Sequence, residues 1–254
     1  MRILSINTEY NYLKKTNFKS HPDFNKLAKD YDIIASSFFR RGPVFGAPSE
    51  YFMDIVKLFR DVFNNNSKQK MLIAGIGESQ EPFSYLATIK SLFKDSNLID
   101  ILELKTVDLQ SKPTKKQLFK HSYFEYCWEP DYAKTSFVKD IRSDMRYKNA
   151  NSYYRVNDEI FEFLNNAYEQ NSLWDTRLQE AVKTFANEDF DIVSINNTIG
   201  YIIDKDSRIS TIKNIYRTLK KDGTFITDPY FNFIKEAGLS ESFFKIADGI
   251  YKKK

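Results

Sequence analysis

Met71-Leu72-Ile73-Ala74-Gly75-Ile76-Gly77-Glu78-Ser79-Gln80-Glu81-Pro82-Phe83-Ser84 is the stretch on which the fold turns. Met71 to Ala74 is a short apolar run that follows the polar loop Asn64-Asn65-Asn66-Ser67. The chain has only eight glycines, and two of them stand at positions 75 and 77. Beyond them, Phe83, Leu86, Ile89, Leu92 and Phe93 recur at the spacing of a helix with one buried face. Pro82 suits the first turn of that helix, where no amide donor is needed. The segment therefore predicts a strand, a glycine turn and a helix.

The same rhythm continues outward. Ile99-Asp100-Ile101-Leu102-Glu103-Leu104-Lys105-Thr106-Val107 predicts a second strand, closing on Asp108. Phe190 to Ile195 predicts another, running into Asn196-Asn197, and Ile209, Ile212, Ile215, Tyr216 and Leu219 form a helical stripe after it. Lys221-Asp222-Gly223 is expected to stop that helix with a glycine in the usual C-terminal position, and Thr224 to Asp228 to form the next strand. Alternating strands and helices imply an α/β fold with a parallel sheet covered on both faces. Residues 113–157 break the pattern with aromatic and charged side chains, and read as an insertion or subdomain on the sheet. Residues 1–66 read as a separate helical or mixed layer before the main domain of 67–254, with Tyr51, Ile55, Leu58, Phe59 and Phe63 on one face of a helix.

Composition narrows the function classes. With 42% hydrophobic and 28% charged residues, the 254-residue chain is that of an ordinary globule with a full core. No run approaches 18 apolar residues, and the apolar start at Met1-Arg2-Ile3-Leu4-Ser5-Ile6 is too short for a secretory signal, so the expected location is the cytoplasm with no membrane insertion. A single cysteine, Cys127, excludes a disulfide framework. His21 and His121 have no metal-ligand spacing, so no metal is expected. The net charge of +4 is small and its lysines are scattered apart from Lys252-Lys253-Lys254, which favours a solvated mixed-sign surface over nucleic-acid binding.

In an open α/β sheet, ligands bind beyond the carboxyl ends of the strands, beside the first glycine turn. The turn does not complete G-x-G-x-x-G, because position 80 is Gln. A G-x-G alone also serves as a tight strand-to-helix connection. Asp108, at the end of the second strand, is placed to accept hydrogen bonds from ribose hydroxyls. The missing third glycine and the missing P-loop Lys-Ser/Thr favour a nucleoside without a pyrophosphate over a dinucleotide. S-adenosylmethionine (SAM) answers that description.

On these residues the chain resembles the CheR family of chemotaxis-receptor methyltransferases, SAM-dependent protein-glutamate O-methyltransferases. The family's first motif, close to A-G-C-S-T-G-E-E-P-Y-S, is matched by Ala74 to Ser84. Its T-x-F-F-R is matched by Ser36-Ser37-Phe38-Phe39-Arg40, and its F-D-x-I-x-C-R-N-x-x-I-Y by Phe190 to Tyr201. Tyr154-Arg155-Val156 and Asn171-Ser172-Leu173 resemble segments flanking its third strand. The resemblance spans roughly residues 34–254 and implies a Rossmann-like class I methyltransferase sheet, with a short N-terminal helical region and an inserted small subdomain.

It further implies that SAM, leaving as S-adenosylhomocysteine (SAH), meets Arg40, Ala74, Gly75, Gly77, Glu81 and Asp108, with Asn171 and Asn197 on the adenosine side. Arg40 and Tyr201 would face the methyl acceptor, the carboxylate of an acidic, chemoreceptor-like protein. Three departures stand out: Glu78-Ser79 replaces the family's Thr-Gly, Asn196 its arginine, and Ser36 its threonine. At most 35 residues precede the F-F-R motif, where the family has a helical domain that engages the receptor. Two alternatives stay open: a degenerate, non-catalytic protein-binding module, and a methyltransferase for a small-molecule acceptor.

Overall fold

Strand β1 (Gln69–Ala74) is an interior strand of the sheet, third of seven, and its side chains from Met71 to Ala74 are buried on both faces. Met71 and Ile73 join one apolar cluster and Leu72 and Ala74 the other. The computed structural model describes residues 49–64, 67–77, 79–125, 153–196, 198–228 and 232–254. Within them run helix α1 (Ser49–Phe63), β1, α2 (Gln80–Leu92), α3 (Leu98–Ile101), β2 (Leu102–Val107), α4 (Lys115–His121), β3 (Tyr123–Glu125) and β4 (Tyr153–Arg155). There follow α5 (Asp158–Gln170), β5 (Ser172–Leu173), α6 (Leu178–Thr184), β6 (Phe190–Ile195), α7 (Lys205–Thr218), β7 (Leu219–Thr227), α8 (Phe233–Glu236), β8 (Phe243–Ala247) and β9 (Ile250–Lys253).

Seven strands pair in the order β5-β2-β1-β6-β7-β9-β8. The pairs β1–β2, β1–β6, β2–β5 and β6–β7 are parallel, and β9 is antiparallel to both its neighbours. This is an open, doubly wound Rossmann-like sheet, parallel except for the hairpin β8–β9 at one edge. The chain leaves β1 towards β2 on one side and returns through β6 on the other, so the crevice at the carboxyl end of β1 is the topological switch point.

Each face of the sheet has its own cover. Helices α1, α2 and α5 pack on the Met71, Ile73, Leu104 and Ile226 side. Helices α6, α7 and α8 pack on the Leu72, Val193 and Phe225 side. The stripe expected between Ile55 and Phe63 is buried in the same apolar cluster as Met71 and Ile73 of β1, and residues 1–48 lie outside the described residues. Of the expected insertion, β3 and β4 form a separate antiparallel pair, and residues 126–152 lie outside the described residues.

Two sequence expectations are corrected. Residues 98–101 are a helical turn, not the start of β2: Glu159 accepts the Leu98 amide at 3.2 Å, Leu98 is buried and Ile99 is 64% exposed. A short apolar run cannot distinguish these two states by itself. Gly223 does not cap α7, which ends at Thr218 as the chain passes directly into β7. Along β7, Leu219 faces Phe190 and Thr224 faces Ile192, so Lys220 to Gly223 bulge out of register. A Cβ on Gly223 would stand 2.8 Å from the Lys220 carbonyl oxygen, and this fold-back is the reason for glycine there.

Candidate functional site

The glycine turn is closed by Asp108. Parallel pairing sets Ala74 beside Val107, so the chain leaves both strands at one level. There Gly75 donates its amide to the Val107 carbonyl at 2.9 Å. One Asp108 oxygen accepts the Gly77 amide at 2.9 Å and the other accepts the Gln110 amide at 2.8 Å. The carboxylate is 6% exposed and holds the turn against the end of β2. Gly77 is exposed, and nothing lies within 4 Å of the place a Cβ would take on it.

Ser79 occupies the position where the CheR motif has its last glycine, and it keeps the glycine conformation, with φ at 63°. That backbone costs an L-residue about 1–2 kcal/mol. It also aims the Ser79 hydroxyl at Tyr168, whose buried OH donates to it at 2.7 Å. Burial pushes the Tyr168 phenol well above its usual range, so it remains a donor. Ser79→Ala is expected to keep the backbone strain and strand the phenol, losing about 1–3 kcal/mol. Ser79→Gly loses the same bond but relieves the strain, so its urea midpoint should lie between that of Ser79→Ala and the wild type.

Across the crevice, β6 alternates so that Ser194 and Asn196 share the face that meets α2. Glu81 Oε1 accepts from Ser194 Oγ at 2.6 Å and from Asn196 Nδ2 at 2.8 Å. Tyr85, one turn further along α2, places its hydroxyl 3.1 Å from Ser194 Oγ and accepts from Asn196 Nδ2 at 3.2 Å. Glu81 therefore spends one oxygen on the end of β6. Its Oε2 has no partner among the described residues.

After β6 the chain leans back onto the turn. Thr198 Oγ1 donates to the Asn196 carbonyl at 3.0 Å and reaches the Ala74 carbonyl at 3.5 Å. A Cβ on Gly75, whose φ is +70°, would stand 1.7 Å from Thr198 Oγ1. A short 3-10 turn, Ile199–Tyr201, follows. Arg208 on α7 donates to the Ile202 carbonyl at 2.8 Å and forms a two-pronged pair with Glu236 on α8, in which Nε meets Oε2 at 2.8 Å and Nη2 meets Oε1. Hydrogen bonding to Arg208 holds the Glu236 carboxyl below its ordinary range. A depressed carboxylate pKa adds stability above its unfolded value and loses it as pH falls through the folded one. The pair should therefore persist through neutral pH and open only under acid conditions, read as the pH at which Ile202–Asp204 amide exchange accelerates.

The structure brings Ala74, Gly75, Gly77, Glu81 and Asp108 together at the switch point. Tyr201 stands on the loop beside it, 80% exposed. Asn171 stands one residue before Ser172, which pairs with Thr106, and makes no hydrogen bond to the turn among the described residues. It ends α5 and lines a cavity of about 540 Å³ with Lys68, Leu102 and Glu103, towards the amino end of β2. Arg40 and Asn197 lie outside the described residues. Sequence reasoning missed Tyr85, Ser194 and Tyr168. Glu81 and Tyr85 at i, i+4 on a helix, facing Ser194 and Asn196 at i, i+2 on a strand, is the signal that would have found two of them.

No protein-family model matches the chain, and no curated protein does either. Solved structures do. It is similar to the YcgJ protein from Bacillus subtilis, at 12% identity over 68% of this chain and 49% of that one, with a TM-score of 0.33. A SAM-dependent methyltransferase from Methanosarcina mazei is 11% identical over 65% and 54% of the two chains, with a TM-score of 0.33. A putative SAM-dependent methyltransferase from Methanococcus maripaludis is 12% identical over 94% of each chain, with a TM-score of 0.39. The chain spans about half the length of the first two. Likeness of this degree assigns no activity to the chain. Among the described residues no helix is long and apolar enough to cross a membrane, and no group of His, Cys, Asp or Glu could hold a metal ion.

Proposed function

We propose that the chain is a SAM-dependent methyltransferase that esterifies a glutamate carboxylate of an acidic protein. The observation that carries the cofactor is the divided role of Glu81: Oε1 is fixed by Ser194 and Asn196, while Oε2 is uncommitted at the head of α2, beside the glycine turn. An ammonium group such as that of SAM's amino-acid end is the complement of a fixed carboxylate oxygen. Gly77 offers an open backbone face, and the Asp108 oxygens, each holding one amide, retain lone pairs for ribose hydroxyls. The residues present fit the group.

SAM supplies an electrophilic methyl group on a sulfonium. A glutamate with a reference pKa of about 4.3 is ionised at neutral pH, so the protein needs no general base. Its contribution is positioning, a means that supplies about 7–11 kcal/mol in well-oriented reactions. The Tyr201 hydroxyl, with no partner among the described residues, is available to the acceptor. The resemblance adds Arg40 at the acceptor and Asn197 at the adenosine.

Calorimetric titration with SAH is the test. Wild-type protein should bind, and Glu81→Gln should bind about ten- to a hundredfold more weakly, the equivalent of one charge-assisted hydrogen bond. Gln can still accept from Ser194 and Asn196, so a stable variant with unchanged affinity refutes this placement. Absence of binding by wild type at millimolar SAH leaves the protein-binding module. Base-labile methyl esters on a glutamate-rich peptide would establish the acceptor, and SAH binding without them would favour the small-molecule alternative.

A further inference from the structure

The loop after β6 combines a fixed backbone with exposed apolar side chains. Tyr201 is 80% exposed and Ile203 is 93% exposed. Neither side chain takes part in a hydrogen bond or ring contact among the described residues. The backbone beneath them is held on three sides. Thr198 is seated against Gly75, the Phe233 ring edge lies 4.0 Å from where a Gly200 Cβ would stand, and Arg208 grips the Ile202 carbonyl at 2.8 Å. Asp204 completes the arrangement, capping α7 by accepting the Ser207 amide at 2.7 Å. Glu236 occupies the rest of the guanidinium fork, so the cation is neutralised where it stands.

An exposed Tyr and Ile contribute little to folding, yet the fold fixes the backbone that carries them. Apolar groups on a rigid support are what a recognition surface requires, because little entropy is lost when a ligand docks. We propose that Arg208, seated by Glu236, is a positioning residue for methyl transfer: through the Ile202 carbonyl it presents Tyr201 and Ile203 as the wall against which the acceptor lies. This rests on reading the carboxyl end of the sheet as the SAM site. The acceptor class follows from the wall. Because Arg208 is paired, the wall offers apolar contact and one phenol, which suits an apolar residue next to the glutamate that the proposed function takes as acceptor.

Two synthetic peptides test this, one with glutamate flanked by leucine and one with glutamate flanked by serine, each assayed for base-labile methyl esters. Wild type should show at least tenfold higher kcat/KM for the leucine peptide. R208K keeps the charge but not the three directed bonds of the fork. It should erase that preference, raise amide exchange at Tyr201–Asp204 at least tenfold, and leave SAH affinity within twofold. E236Q keeps the bond to Ile202 and should fall between, and it serves in place of R208K if that variant does not fold.

The role of Arg208 is overturned if R208K retains both loop protection and peptide preference. It is overturned equally if rate, SAH affinity and global stability fall together, the pattern of a merely structural residue. Wild type that binds SAH and prefers neither peptide overturns the acceptor class. Wild type that does not bind SAH overturns the reading of the site itself.

Discussion

Gly75→Ala should lose more than about 4 kcal/mol of stability, enough to leave an ordinary domain largely unfolded. Two effects add. The backbone at Gly75 has φ of +70°, which costs any L-residue about 1–2 kcal/mol. The new methyl would also stand 1.7 Å from Thr198 Oγ1 and 2.8 Å from Thr198 Cβ, and β1 cannot retreat without disturbing its pairing with β2 and β6. The distances predict which second changes rescue it. Thr198→Ser keeps the colliding oxygen and should not help. Thr198→Gly removes both atoms and should return all but the backbone term. Urea unfolding of the two double variants checks this, and equal recovery in both would mean that strain, not collision, dominates.

Phe59→Ala should cost about 3–5 kcal/mol, the range for truncating a fully buried aromatic. The consequence for the site matters more. The Phe59 ring meets Tyr85 edge to face at 5.1 Å and Phe63 at 5.9 Å. Tyr85 in turn fixes Ser194 and Asn196 against Glu81. A cavity at position 59 gives the Tyr85 ring room to tilt, so SAH affinity should fall severalfold in the folded fraction although residue 59 lies a layer below the crevice. Phe59→Leu fills most of the volume and should retain affinity. If Phe59→Ala binds SAH like wild type below its unfolding transition, Tyr85 is held by its hydrogen bonds alone.

The strands nearest the crevice were legible because their signals are local. Met71 to Ala74 and Phe190 to Ile195 are apolar runs bounded by a polar loop or glycine, and both are strands. Asp108 was legible as a carboxylate at a strand end, but the partners it holds were not, since the Gly77 amide meets it across 31 residues of sequence. Asn196 shows the limit most clearly. In sequence it looks like a lost positive charge, whereas in the fold its amide is a buried donor to Glu81, 115 residues away. An arginine there would meet Glu81 before any acceptor. Gly223 misled for a related reason: Lys-Asp-Gly reads the same as a helix stop or a strand bulge, and only the register of β7 against Phe190 decides between them.

Trp174 stands edge-on to Tyr168 at 4.9 Å and donates its indole N–H to the Tyr168 carbonyl at 3.1 Å. Through the Tyr168 hydroxyl it is two contacts from Ser79. This places an indole next to the glycine turn, so Trp174 emission is expected to shift on titration with SAH, and the shift is expected to vanish in Tyr168→Phe. The chain contains one other tryptophan, Trp128, so a Trp128→Phe background would isolate the signal. Occupancy of the crevice could then be followed by unlabelled fluorescence, at concentrations and speeds that calorimetry does not reach.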